Sequence, residues 1–198
     1  MMRHVVIIGF EPIGRKEGIR ELGRHPGKYE LHTFNNDHPL LPRSKRHFEM
    51  HELSAYLDPK DEAVLDRKYI DLLRRGVGVP VYHLRESESV KGSVAYPIKQ
   101  ITAQFGTYFT NSISYMLALA IYERVDAISI YGIDMAREHE AAWERPSIEY
   151  FLGHARGAGI RVTLGQTSDL LTCLGLYGYV DAYEYEAQLR DIVDVARE

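Results

Sequence analysis

The sequence predicts an α/β protein with three layers and a mostly parallel sheet. Short, nearly all-apolar runs of strand length alternate with stretches of helical periodicity, and no repeat or low-complexity segment interrupts the alternation. The length of 198 residues suits one domain with a full core.

The elements follow in order. Residues 3–9 are a compact apolar run closing on Gly9, the form of a buried parallel strand whose carboxyl end opens into a loop. That loop is Gly9-Phe10-Glu11-Pro12-Ile13-Gly14, and residues 15–22 predict a short helix before Gly23. Residues 29–34 alternate like a second strand and end in the turn chemistry of Asn35-Asn36-Asp37. Residues 46–51 are strand-like again. Residues 61–75 put Val64, Ile70, Leu72 and Leu73 on a helical repeat closed by Gly76, and 79–84 predict the next strand. Residues 85–97 are polar and contain glycine, which predicts a long functional or mobile loop.

Asn111 or Ser112 suits the cap of a helix carrying Ile113, Met116, Leu117, Ala120 and Ile121, followed by a buried strand at 127–132. Pro146 suits the first turn of a helix through Ile148, Phe151, Leu152 and Ala155, stopped by Gly157 and Gly159. Residues 160–164 predict a strand, and Ser168 is expected to cap a short helix. The segment 181–198 differs in kind: Tyr185, Leu189, Ile192, Val193 and Ala196 line one side of a charged helix able to pack on the domain or on another subunit. The expected organisation is a ligand-binding domain over 1–180 and a C-terminal helix over 181–198.

Composition narrows the function. Twenty-four Lys and Arg against 28 Asp and Glu give a net charge of −4, which argues against a duplex-DNA binder and makes nucleic acid an unexpected partner. The longest apolar run, 116–122, is far below the ~18 residues of a membrane span, and the start is too short for a signal peptide. A single cysteine, Cys173, suits a reducing compartment, so a cytoplasmic location is expected, and its leucine neighbours predict a small core residue.

In open α/β sheets ligands bind beyond the carboxyl ends of the strands, so the candidates follow each strand. Gly9 and Gly14 suit either a nucleotide approaching the backbone or a plain tight turn, and Glu11 would repel phosphate unless paired or metal-bound. Asn35 and Asn36 offer amides for a base or ribose, with turn chemistry as the alternative. His47 and His51 share a face of the third strand, as a metal pair or as a hydrogen-bonded site histidine at His51. Thr110, Asn111 and Ser112 open a helix and suit an anion or simple capping. Asp134, after Gly132-Ile133 and before Met135, can hold a hydroxyl or a metal ion, and Arg145 could bring a guanidinium to a phosphate or form a surface salt bridge. His139-Glu140-Ala141-Ala142-Trp143 is no zinc motif, since Trp143 stands where the second histidine belongs. No set of protein metal ligands emerges from spacing.

The stretches 110–121 and 128–135, with a Thr-Asn-Ser helix start and a strand ending Gly132-Ile133-Asp134-Met135, resemble a Rossmann-like group. That group contains the 6-hydroxymethylpterin pyrophosphokinase MptE-like proteins and the glycosyltransferase family 42 sialyltransferases. Residues 160–171 with Ser168 are similar to the late strand and turn of the sialyltransferases, and Val5 to Pro12 and Phe34-Asn35-Asn36 to their nucleotide-contacting loops. With Phe48-Glu49-Met50-His51 and residues 144–150, the whole chain looks closer still to small tailed-phage proteins of the MptE-like type. The usual Gly-x-Gly-Pro-Ser loop is replaced by Gly9-Phe10-Glu11-Pro12-Ile13, Ala136 stands where the sialyltransferases place a tyrosine, and their catalytic histidine falls near Ala142, with His139 closest.

The resemblance implies a nucleotide or nucleotide-sugar ligand and glycosyl or pyrophosphoryl-type transfer, with Mg²⁺ or Mn²⁺ as a candidate companion. The loop at Gly9, Glu11 and Pro12 and the run Thr110 to Ser112 would then face phosphates. Asn35 or Asn36 would hold base or ribose, and Gly132, Met135 and Ser168 would complete the site. Asp134, His51 or His139, and Arg145 would carry the chemistry. The competing expectation is a non-catalytic phage morphogenesis or interaction protein that assembles through its C-terminal helix.

Overall fold

In the computed structural model, which describes residues 2–37, 40–53, 67–135, 140–173 and 176–179, the first apolar run is strand β1 (His4–Ile8), buried throughout. It leads through the glycine loop into helix α1 (Pro12–Arg24), then β2 (Glu30–Phe34), β3 (Arg46–Glu49), α2 (Arg67–Arg75) and β4 (Val81–His83). The chain continues as β5 (Ser93–Ala95), α3 (Ile98–Phe105), α4 (Ser112–Tyr122), β6 (Ala127–Tyr131), α5 (Arg145–Gly157) and β7 (Arg161–Leu164). A π-helical turn, Glu140–Glu144, runs into α5.

All neighbouring strands pair in parallel, in the order β5-β4-β3-β2-β1-β6-β7. Successive strands step outward from β1 on one side, and the chain then returns to lay β6 and β7 on the other. The strand order therefore reverses beside β1, where Val5 stands opposite Glu30 of β2 and Ile128 of β6. A parallel sheet covered on both faces needs apolar residues at consecutive positions, and β1 supplies them. Val5 and Ile7 join the cluster that contains Met116, Leu117, Phe151 and Leu152 of α4 and α5. Val6 and Ile8 pack with Leu22 of α1. Helix α2 brings Tyr69, Ile70 and Leu73 against Val81.

Several expectations change. The loop expected at 85–97 ends in β5, an edge strand whose residues are only partly buried or exposed. It is held by backbone pairing to β4, where Val81 N–H donates to the Gly92 carbonyl at 3.0 Å, and by buried Val90. Helix α1 starts at Pro12 rather than at residue 15, because Glu11 caps it. Ser168 caps no helix: the described chain after β7 only turns, Leu171 sits at φ 57°, and the Ser168 hydroxyl donates to the Ile133 carbonyl at 3.2 Å. Without that helix Cys173 is exposed, not a core residue. Residues 61–66 of the expected second helix and the whole C-terminal helix 181–198 lie outside the described residues. Among the described residues no helix is long and apolar enough to cross a membrane.

Candidate functional site

The carboxyl ends of β1, β2, β3 and β6 open onto one edge of the sheet, where the segments after them and the start of α4 enclose a cleft of about 580 Å³. The loop after β1 contributes Gly9, Phe10, Glu11 and Pro12; β2 and the turn after it contribute Phe34 and Asn35; His51 comes from beyond β3. Residues 132–135, with Gly132, Asp134 and Met135, come from the end of β6, and Thr110, Asn111 and Ser112 from the start of α4.

The glycines of the first loop serve a backbone crossing. Gly9 N–H donates to the Tyr131 carbonyl at 2.8 Å, and Glu11 N–H to the Gly132 carbonyl at 3.0 Å. A Cβ on Gly14 would meet the Gly132 nitrogen at 2.6 Å, and Gly132 itself sits at φ 64° with Arg15 N and Glu11 O at about 3 Å from any Cβ. The space beside Gly14 is thus filled by protein backbone, as the tight-turn alternative requires.

Glu11 occupies the start of α1. Its carboxylate accepts the N–H groups of Ile13 at 2.8 Å and Gly14 at 2.6 Å and the Thr167 hydroxyl at 3.0 Å. These bonds, those from Ile13 and Gly14 first, hold it below the usual carboxylate range. The donors that a Rossmann-type loop turns toward a phosphate are therefore engaged by the protein's own anion.

The second helix start differs. Asn111 Oδ1 accepts Ser114 N–H at 2.9 Å, a cap that leaves the first N–H groups of α4 at the cleft. Ser112 donates its hydroxyl to Asn35 Oδ1 at 3.2 Å, tying α4 to the end of β2. Asn35 is in the left-handed region, φ 51°, which asparagine tolerates, and among the described residues its Nδ2 donates to nothing. Thr110 is spent on Ser147 at 2.6 Å. Asp134 makes no hydrogen bond or ion pair among the described residues, and its neighbour Met135 is held at φ 42°.

Sequence reasoning passed over the group that orders His51. Glu49, the last residue of β3 and fully buried, accepts His51 Nδ1–H at 2.8 Å and the His51 backbone N–H at 2.9 Å on Oε1. Its Oε2 accepts the Tyr69 hydroxyl at 2.7 Å. His47 Nε2 lies 2.7 Å from that same hydroxyl, and its Nδ1 lies 3.0 Å from the Thr33 hydroxyl. The strand ends at Glu49, so His51 lies beyond it and not on a strand face shared with His47; the two are instead linked by a hydrogen-bonded chain through Tyr69 and Glu49. Burial raises the Glu49 carboxyl, but the hydrogen bonds from His51 and Tyr69 outweigh it and leave it below the ordinary range. The bond to Glu49 pushes His51 up, against partial burial. The readable signal was that His47 and Glu49, two apart on β3, share a face of the strand.

Besides Gly14 and His47, three sequence candidates lie outside the lining. Arg145 donates from Nε to Glu149 at 2.9 Å and from Nη1 to Asp169 at 2.8 Å, so two carboxylates hold it on α5. Asn36 is exposed one step beyond Asn35, and Ser168 is turned to the Ile133 carbonyl. His139 lies outside the described residues. Phe10 and Phe34, edge to face with centroids 5.4 Å apart, add an aromatic side to the cleft, and Glu144 adds a carboxylate. No lysine or arginine lines it among the described residues, nor do three His, Cys, Asp or Glu there form a group able to hold a metal ion.

A scan against protein-family models finds no match, and a search of curated proteins finds none. Among solved structures the chain is similar to the sialyltransferase CstII from Campylobacter jejuni in complex with cytidine-5'-monophosphate, a substrate analogue. That match has 12% identity and a TM-score of 0.48, over 96% of this chain and 98% of that one. It is similar to the sialyltransferase CST-II in complex with a trisaccharide acceptor and CMP, at 13% identity and a TM-score of 0.49, over 95% and 99%. The monofunctional α-2,3-sialyltransferase Cst-I from Campylobacter jejuni matches at 14% identity and a TM-score of 0.45, over 98% and 96%.

Proposed function

We propose that the cleft binds a nucleotide or nucleotide-sugar and that the protein is a transferase acting on it. The observation that carries this reading is the position of the cleft. It lies beyond the carboxyl ends of the strands where the strand order reverses beside β1, the place where doubly wound sheets bind such ligands.

Within that frame Asn35 Nδ2 is a donor for the base or ribose, Phe10 and Phe34 supply apolar surface for a planar ring, and Asp134 is an acceptor for a sugar hydroxyl. The phosphates fall to the N–H groups at the start of α4, because Glu11 fills the start of α1. A divalent ion would bring most of its ligands from phosphate and water, as Mg²⁺ commonly does, and no step of this reading passes through it.

A thermal-shift screen of the full chain against nucleotides and nucleotide-sugars, with and without Mg²⁺ or Mn²⁺, tests the reading, since a ligand that prefers the folded state raises the melting temperature. A selective shift lost in Asn35→Ala supports it. The second reading, a phage assembly or interaction protein that uses segment 181–198 to associate, is favoured by the Glu11 cap and gains if no member of the panel shifts the transition.

A further inference from the structure

We propose that the outer edge of the sheet, where β5 runs beside the end of α2, is a docking face for residues 181–198 of a second copy of this chain. It rests on the assembly reading above in taking 181–198 as the associating segment, and it names the surface that segment meets.

Charge marks the face. Residues 67–99 hold seven Lys and Arg against three Asp and Glu, in a chain whose net charge is −4. Arginines that brace the rest of the fold are engaged by carboxylates: Arg3 by Glu30 and Glu123, Arg15 by Asp37, Arg46 by Glu123. At the edge the cations are left over. Arg74 reaches Asp71 only at 3.7 Å, and the Arg75 guanidinium donates only to the Asp71 carbonyl, at 3.2 Å. Lys91 and Lys99 form no ion pair among the described residues. Segment 181–198 has the reverse balance, six Asp and Glu against two Arg. Complementary charge of this kind steers two surfaces together and fixes their register.

The surface also suits an amphipathic helix. β5 is the last strand of the sheet and pairs only with β4. Val94 on β5, Leu84 just after β4 and Ile98 at the start of α3 are exposed apolar residues on an open edge, which native sheets commonly cover. Two hollows of about 460 and about 500 Å³ adjoin at Lys91 and Gly92, with Arg74 at one and Arg75 at the other; Glu86 and Glu88 line the first. In 181–198 the helical period sets Tyr185, Leu189, Ile192 and Ala196 along one side, with Glu184, Glu186, Asp191 and Asp194 around them. The stripe matches the apolar residues of the edge, and the acids match its cations.

The path of the chain points to a second copy. The Ser168 hydroxyl donates to the Ile133 carbonyl and Leu171 N–H to Glu149 at 2.8 Å, so the chain leaves the fold beside the end of β6 and the start of α5. Strands β1, β2, β3 and β4 stand between that point and β5, and a connection within one copy would pass across the mouth of the cleft. A segment given to a neighbour leaves the cleft open, and two copies can exchange segments about a two-fold axis.

Sedimentation velocity of the full chain over a range of concentrations tests this. The wild-type protein should associate with rising concentration and dissociate as salt is raised. Arg75→Glu with Lys91→Glu should weaken the association about tenfold or more, and Glu184→Lys with Asp191→Lys should do the same. Combining all four changes should restore it, which damaged folding in either pair could not do. Binding of CMP or UDP should be the same in these variants, since none of the four residues lines the cleft. A monomer at every concentration overturns the proposal together with self-association through 181–198. If Leu189→Asp with Ile192→Asp then shifts the backbone NMR signals of Lys91 and Val94, the segment docks within its own copy and only the second copy is removed. Association that is lost in Leu189→Asp with Ile192→Asp but unchanged in Arg75→Glu with Lys91→Glu overturns the face and leaves the assembly reading standing.

Discussion

Glu11 and Gly14 are joined by a hydrogen bond of 2.6 Å, in which the carboxylate Oε2 accepts the backbone N–H at the start of α1. The same oxygen accepts the Thr167 hydroxyl at 3.0 Å, so one side chain closes the helix and fastens the turn after β7 to it. An ordinary phosphate-binding loop leaves that position open to the ligand; here the protein fills it.

Replacing the anion should therefore reopen the position. Glu11→Ser keeps a short cap and is expected to lower the melting temperature modestly while strengthening inorganic phosphate binding several-fold, measured by calorimetry. Because the folded state holds the Glu11 carboxyl below its usual range, its contribution is complete above the unfolded carboxylate pKa. That contribution is lost as pH falls through the lowered value. Phosphate affinity unchanged in Glu11→Ser would contradict this.

The crossing of β1–α1 over the end of β6 leaves no room for a methyl group. Gly14→Ala places Cβ 2.6 Å from the Gly132 nitrogen and 2.9 Å from its Cα, both backbone atoms that cannot rotate away. A loss of ~1–3 kcal/mol is expected from urea denaturation. Gly23→Ala, where nothing lies within 4 Å, is the control and should not destabilise the fold.

Much of this was legible in the sequence. β1 and β6 showed as apolar runs because both faces of a parallel sheet are covered, 46–51 read only as strand-like, and the loops after these strands named most of the cleft lining. What escaped rests on partners distant in sequence or on backbone pairing. β5 is a Ser-Val-Ala edge strand with no apolar run to betray it, and α3 shows only Ile101 and Phe105 as buried anchors. Glu49 reads as a polar position in a strand until Tyr69, twenty residues on, reaches it. Arg145 reads as an anion-binding arm, although Glu149 four residues on was a readable helical partner.

Arg15 and Asp37 form a close ion pair at 2.6 Å, with the Asp37 side chain fully buried. Arg15 also donates to the Gly9 carbonyl at 2.9 Å, which braces the cleft loop from behind. Arg15→Ala leaves that carboxylate buried without its cation and is expected to cost ~3–5 kcal/mol. Arg15→Ala combined with Asp37→Ala should cost less than the sum of the two single changes, as measured by a double-mutant cycle.

His32 is fully enclosed on β2, and neither ring nitrogen has a hydrogen-bond partner among the described residues. Burial depresses its pKa from 6.5 to about 3. Between those values the unfolded chain binds a proton that the folded chain refuses. Stability is thus whole above about pH 6.5 and falls by ~1.4 kcal/mol for each unit of acidification down to about pH 3. His32→Leu should flatten that part of the dependence, seen by comparing urea midpoints at about pH 5 and about pH 7. Equal slopes in the two proteins would contradict the assignment.

In the function proposed above, the cleft beside β1 takes a nucleotide through Asn35 and the start of α4. Isothermal titration of CMP and UDP into the wild-type protein and into Asn35→Ala and Ser112→Ala tests it most directly. Saturable binding at one site, weakened about tenfold or more in each variant, is the result expected from lost hydrogen bonds to the ligand. Absence of binding in the wild type, or equal affinity in all three proteins, would contradict it.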